Sequence, residues 1–282
     1  MIGKLVNLMG PGFIERFVGK KLVETTYTED WIISSSGSRV YAHIHRPVGD
    51  GEYPGVVFVP GALSPGNDYD GRSEVSADDV ASLGFVALHY DPSGRGETGG
   101  EEDYWGRKHH KELSVVLEYI AGRPDVRIDN IGILSFSIGI AISLGALATY
   151  ELPFVKYLFD WEGPSNSLNI TKSDTHKPLQ KFPTSNLDFW RDRVPARFIG
   201  QIKCGYFRYQ SKRDHMQGSY KGHALELVNL ASKGAAKWTR MNDNPANMVY
   251  DGNKANDYSW IPWYKNHKGQ ILKYLLDIHS MG

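Results

Sequence analysis

The sequence holds a single cysteine, Cys204, in 282 residues. That excludes an internal disulfide and any multi-cysteine zinc site. Net charge is absent too: 32 basic side chains stand against 32 acidic ones, so the electrostatic footprint of a nucleic-acid binder is missing. No apolar run reaches the ~18 residues of a membrane span. The first 23 residues do not read as an export signal, because Lys4, Glu15, Arg16, Lys20 and Lys21 interrupt the apolar positions and Pro11-Gly12 divides them. Repeats, low-complexity tracts and long blocks of like charge are lacking. The expectation is a soluble, cytoplasmic protein with no membrane span and no nucleic-acid partner; homo-oligomerisation stays open. A chain this long can bury roughly three quarters of its unfolded surface, so a large core needs no staples. One domain over residues 1–282 is the expected partition.

What is present is an alternation of short β-rich runs and helical patterns. Residues 39–46 alternate Val40, Ala42 and Ile44 with polar or aromatic residues, the period of a half-buried strand. Residues 55–59 and 85–90 are continuous apolar runs, as in strands covered on both faces. Further strands are expected at 131–135, 154–159, 202–209 and 236–241. Helices are expected at 78–83, ending at Gly84, and at 108–121, where Leu113, Val116, Leu117 and Ile120 share a stripe before Gly122 and Pro124. Residues 138–150 carry no charge and read as a buried helix, and 270–279 place Ile271, Tyr274, Leu275 and Ile278 on one face. Such alternation predicts a mostly parallel sheet with helices on both faces. Two segments break it. Residues 163–197 contain four prolines, and residues 242–266 are rich in Asn, Asp, Trp and Tyr. Long excursions inside a domain serve as lids or binding loops, so the first is read as a small lid and the second as a long loop.

The sharpest local signal is Leu134-Ser135-Phe136-Ser137-Ile138-Gly139, between a strand and the uncharged helix. A serine on a tight strand-to-helix turn exposes its hydroxyl at the end of the sheet, and small neighbours let the backbone cross closely. Ser137 is therefore the candidate nucleophile. Gly94-x-Gly96-x-x-Gly99 matches the dinucleotide pattern literally, but Glu101, Glu102 and Asp103 follow at once and would repel a pyrophosphate. No cofactor is expected. His43 and His45 on one strand face, and the pair His109-His110, have no companion cysteine or carboxylate cluster in sequence and read as structural, so no metal is expected.

With these residues in view, the chain resembles the α/β-hydrolase superfamily over nearly its whole length. Val56-Val57-Phe58-Val59-Pro60-Gly61-Ala62 is similar to the family's third strand and oxyanion loop. Asp91-Pro92-Ser93-Gly94-Arg95-Gly96-Glu97-Thr98 is similar to the turn that follows in the branch of dienelactone hydrolases and prolyl-oligopeptidase-like esterases. Pro60 stands where a histidine is usual, and Ser135 where the elbow has its first glycine. The resemblance implies an eight-stranded, mostly parallel sheet and a Ser–acid–His order along the chain. It implies Asp214, beyond the seventh strand, as the acid, with Asp160 after the sixth strand as the alternative. It implies His267, before the last helix, as the base, with His223 and His215 behind it; the loop at 242–266 accounts for the long spacing. Oxyanion donors are implied at the backbone N–H of Ile138 and of Ala62 or Leu63. Asp160, Trp161 and Glu162 open the first insertion beside Ser137 and are expected at the substrate, with Trp260 and Trp263 near the mouth. Phe182, Phe189 and Trp190 are weighed as pocket walls or lid packing, and Arg191, Arg193 and Arg197 as anion contacts or solvated charges. The expected activity is cleavage of small carboxylic esters through an acyl-enzyme. An aminopeptidase- or oligopeptidase-like amidase, with Asp160 or Glu162 holding an ammonium, is the alternative, and a non-catalytic binding member of the fold is the third reading.

Overall fold

Eight strands form one sheet in the order β1-β2-β4-β3-β5-β6-β7-β8, in a computed structural model that describes residues 11–34, 38–72, 74–171, 182–215, 217–262 and 267–281. The strands are β1 (Thr25–Ile33), β2 (Arg39–Pro47), β3 (Tyr53–Val59), β4 (Val86–Tyr90), β5 (Val126–Phe136), β6 (Val155–Trp161), β7 (Gly205–Tyr209) and β8 (Thr239–Met241). β2 pairs antiparallel with β1 and β4, and every pairing from β4 through β3 to β8 is parallel. The helices are α1 (Pro11–Val18), α2 (Ala77–Ser82), α3 (Arg107–Ala121), α4 (Gly139–Thr149), α5 (Ser167–Thr171), α6 (Leu187–Arg191), α7 (Gly222–Lys233) and α8 (His267–His279).

The period of two in the strands divides the core in two. Val57, Val59, Val86, Leu88, Ile131 and Ile133 face a cluster built with α3, α4 and α7. Val56, Phe58, Ala87, Leu134, Phe159 and Phe207 face the other cluster, built with α1, α2 and α8. Burial of such runs on both sides, at ~25 cal/mol per Å2, is what drives strand and helix together. Among the described residues, no helix is long and apolar enough to cross a membrane.

β1 was not anticipated. It lies at the edge of the sheet with most of Thr25–Ile33 exposed, so its polar residues carry no apolar alternation. The glycine-rich turn after β4 folds on itself: a Cβ on Gly94 would lie 2.5 Å from Glu102 Cα, and one on Gly96 1.9 Å from Asp91 Oδ2. The spacing of these glycines thus serves the turn's own packing. His109 and His110 are buried in α3, with His109 Nε2 3.0 Å from Ser93 O and His110 Nε2 3.0 Å from Trp105 O.

Candidate active site

Three side chains that form the candidate site leave the sheet at the ends of three adjacent parallel strands. Ser137 follows β5 in the left-handed region, at φ 53°, where a side-chain-bearing residue is strained and its hydroxyl is thrown clear of the sheet. Its N–H donates to Trp161 O at 2.8 Å, which fastens the turn to the end of β6. Glu162 repeats the device one strand over: its φ is 55°, and its N–H donates to Tyr209 O at 3.1 Å, at the end of β7. His215 comes from the loop beyond β7. Its Nε2 lies 2.9 Å from Ser137 Oγ, and its Nδ1 lies 2.9 Å from Glu162 Oε2. Glu162 Oε1 accepts from Ser211 N–H at 2.8 Å. Burial alone would push the Glu162 carboxyl up, but the hydrogen bond and charge of His215, together with Ser211, outweigh it and hold the group below its ordinary value. A carboxylate there orients the imidazole with Nδ1 as donor and Nε2 free to accept the serine proton.

The oxyanion region lies alongside. Gly61 passes so close to the turn that a Cβ on it would sit 2.8 Å from Phe136 O and 3.0 Å from Ser137 Cβ. Ala62 is held at φ 46°, and its carbonyl accepts from Trp105 Nε1 at 2.9 Å. Ile138 is buried at the start of α4, and Leu63 is half-buried against the core. Gly139 lets that helix begin within contact of the backbone at Val59 and Pro60, since a Cβ there would meet their carbonyl oxygens at 2.8 and 2.7 Å.

The structure corrects the expected acid and base. The imidazole that meets Ser137 is paired with Glu162, not Asp214, whose Oδ2 is 2.7 Å from His223 Nε2 and accepts from Gln210 Nε2 at 3.0 Å. His267 does not meet Ser137 either: its Nδ1 is 2.7 Å from the Tyr209 hydroxyl, at the first residue of α8. His223 stands behind Asp214 in α7. The residue before His215 thus anchors the loop, and His215 itself faces the serine.

Asp160 is corrected in both expected roles, as alternative acid and as substrate contact. It is fully buried, accepting from Tyr206 Oη at 2.6 Å, from Arg208 Nη1 at 2.5 Å and from Gly163 N–H at 2.9 Å. Arg208 continues this buried network to Gln210, which reaches Asp214. Glu162, expected to hold a substrate ammonium, is instead committed to His215. Trp161 does line the cleft and packs edge-on against Phe136. Trp260 lines a neighbouring cleft, with its indole N–H on Ala255 O at 2.7 Å, and Trp263 lies outside the described residues. Phe182 and Phe189 stack on each other at 3.8 Å and pack with Trp190 on the core. Arg193 donates to Asp103 and Tyr104 carbonyls, and Arg191 pairs with Asp188, so neither lines the cleft.

The cleft beside Ser137 encloses about 530 Å3 and is lined by Arg72, Phe136, Trp161, Glu162, Arg213 and His215, among others. His215 stacks on Phe136 at 5.0 Å, and the Arg72 guanidinium covers the same ring at 4.0 Å. Arg213 also borders the neighbouring cleft, with Lys212 and Lys221. Sequence reading missed the pairing of Glu162 with His215. The available signal was positional, since Glu162 stands one residue past β6 as Ser137 stands one past β5.

No family model matches the chain. A probable 2-oxo-3-(5-oxofuran-2-ylidene)propanoate lactonase of a Bradyrhizobium species is 31% identical over 135 residues, 44% of this chain and 53% of that protein. The chain therefore matches about half the length of this curated relative. Among solved structures, an esterase of Pyrococcus furiosus superposes with a TM-score of 0.62 at 15% identity, covering 94% of this chain and 96% of the esterase. The acylaminoacyl peptidase of Pyrococcus horikoshii gives 0.65 at 16% identity over 94% of this chain, which accounts for only 43% of the peptidase. A 2,6-dihydroxy-pseudo-oxynicotine hydrolase gives 0.64 at 16% identity, covering 90% of this chain and 68% of that one. Identities this low speak for architecture, and the strand order and the strained serine turn agree with it. The chain has the α/β-hydrolase fold.

Proposed function

We propose that the protein is a serine hydrolase that cleaves carboxylic esters, open-chain or cyclic, through an acyl-enzyme. The observation that carries this reading is the unbroken chain of contacts from Ser137 Oγ through His215 to Glu162. Ser137 Oγ attacks the ester carbonyl carbon as His215 Nε2 takes its proton, and Glu162 stabilises the imidazolium that forms. The N–H groups of Ile138 and of Ala62 or Leu63 receive the developing oxyanion, each donor being worth roughly 3–4 kcal/mol of barrier. Collapse breaks the carbon–oxygen bond, and the leaving alkoxide takes the proton from His215. Water then attacks the acyl-enzyme by the same route in reverse. With a lactone the alcohol remains tethered to the acyl group.

Arg72, which pairs with Glu74 at 3.4 Å, and Arg213 bring two guanidiniums to the cleft, and this supports an ester that carries a second, anionic group, since a guanidinium matches a carboxylate. The relative's name describes a lactone with a carboxylate side chain, which agrees with that charge. Asp160 and Glu162 being engaged within the protein, the ammonium-binding amidase reading loses the residues it relied on. A fluorophosphonate probe tests the proposal. One label per chain is expected, mapped by mass spectrometry to Ser137 and absent from Ser137→Ala, which should also lose p-nitrophenyl acetate hydrolysis while staying folded. Labelling elsewhere, or full turnover by the folded variant, would sink it.

A further inference from the structure

We propose that His43, His45, His89 and Asp70 form a binding site for one divalent transition-metal ion of the zinc type, separate from the serine centre. The fold assembles it from three places. His43 and His45 point from β2 to the face of the sheet opposite Ala42 and Ile44, and His89 stands beside His43 in register on β4. Asp70 closes the short turn Gly66–Tyr69 that follows the oxyanion loop. Since β4 and β5 flank β3 on opposite sides, the cluster lies two strands across from the strand that ends at Ser137.

The donor atoms converge on one point. One ligand atom from each of the four residues lies within 4.8 Å of all the others. His45 Nε2 is 3.0 Å and His89 Nε2 2.7 Å from Asp70 Oδ1, while His43 Nδ1 is 3.0 Å from Asp70 Oδ2. Ligands at 2.0–2.2 Å in a tetrahedron lie about 3.4 Å apart, a spacing bracketed by the separations here, which run from 2.7 Å to no more than 4.8 Å. A hydrogen-bonded cluster without metal accounts less well for His43, whose Nδ1 is buried near the carboxylate yet out of hydrogen-bond alignment.

The surroundings have the form of an outer shell. His43 Nε2 faces Glu29 at 3.9 Å, and His45 Nδ1 faces Asp78 at 4.0 Å, so each ring has a carboxylate behind its second nitrogen. These two contacts are longer than hydrogen bonds, but carboxylate charge behind a ring raises the basicity of a metal-bound imidazole. A cleft of about 370 Å3, lined by Thr25, Tyr27, His43, His45, Asp70 and Asp78, among others, gives solvent access, and its lining holds no lysine or arginine. Three imidazoles and one carboxylate suit zinc and its neighbours in the series, not calcium or magnesium. Four protein ligands leave no open position, which makes the ion structural. It would pin Asp70 to the sheet and with it the segment that carries Arg72 to the active cleft.

Equilibrium dialysis of the untagged, chelator-treated protein against Zn2+ or Co2+, followed by elemental analysis, tests the site. The expected result is one ion per chain in the wild type and in His215→Gln, and close to none in His43→Gln and Asp70→Asn, with circular dichroism showing all four folded. Saturating Zn2+ should raise the melting temperature of the wild type by about 5 °C and that of the two cluster variants by far less. Absence of a bound ion in the wild type overturns the proposal. So does an ion that survives in both cluster variants or disappears in His215→Gln.

Discussion

If Ser137 is the nucleophile proposed above, its reactivity depends on one neighbour, and two histidines near the cleft offer a direct contrast. His215 touches Ser137 Oγ, whereas His267 rests on Tyr209. His215→Ala is expected to remove nearly all turnover and fluorophosphonate labelling, and His267→Ala to leave kcat within a few-fold of wild type. Parallel assays of the two purified variants decide it; the opposite ranking would return the base to the last loop. Glu162→Gln keeps the size of the side chain but loses the charge that stabilises the imidazolium and selects its tautomer. A comparable change in a serine protease costs ~10⁴ in kcat, and a loss of about 10³–10⁴ is expected here with little change in KM.

Loop and strand ends place those residues. The loop at 210–218 is held from behind by the buried line Asp160, Arg208, Gln210, Asp214 and His223. Removing one partner from a buried ion pair strands the other charge and costs roughly 3–5 kcal/mol. Asp160→Asn should therefore lower stability by about 3 kcal/mol in urea unfolding. Asp214→Asn removes a carboxylate that touches His223 and the amide of Gln217, and should lose about 2 kcal/mol. Its kcat should fall far less than that of Glu162→Gln. A ~10⁴-fold loss in Asp214→Asn with unchanged stability would mean that Asp214 is the acid after all. The two variants thus separate the anchoring of the loop from the chemistry it carries.

For the molecule as a whole, acid is the condition to which its burial makes it sensitive. Burial pushes the imidazoles of His109 and His110 down to about 4, against about 6.5 in the unfolded chain. Between those values the unfolded state binds more protons, so stability falls as pH drops from about 6.5 to about 4. Each histidine contributes up to about 3 kcal/mol over that window. Glu162, held below its ordinary value, adds a loss at still lower pH as its carboxylate is protonated. Melting temperature should therefore decline steadily from pH 7 to pH 4.5. In His110→Gln, which cannot titrate but can still donate to Trp105 O, the decline should be shallower than in the wild type. An equal slope in that variant would place the acid sensitivity elsewhere.

The sequence by itself determined the central sheet and the strained serine turn proposed to carry the nucleophile, because both are written in local chemistry. Apolar runs at 55–59 and 85–90 can be satisfied only between two helical layers, and a serine between a strand and an uncharged helix has few other conformations. Asp160-Trp161-Glu162, at the opening of the first insertion, are also marked by the sequence as belonging beside Ser137. Edge strand β1 escaped because a solvated edge strand has no apolar period to read. Tertiary structure alone decided which acid and which histidine meet. Asp160 and Glu162 sit two positions apart on the same segment, yet strand alternation sends one into the buried network with Arg208 and the turn beyond Trp161 presents the other to the cleft. Asp214 and His215 are adjacent, yet opposite directions along the loop give one to His223 and the other to Ser137. His89 and Asp70 likewise join His43 and His45 only through the antiparallel register of β2 with β4 and the turn after the oxyanion loop. Chain order carries no information about such meetings, because the contacts run across strands whose neighbours in space are distant in sequence.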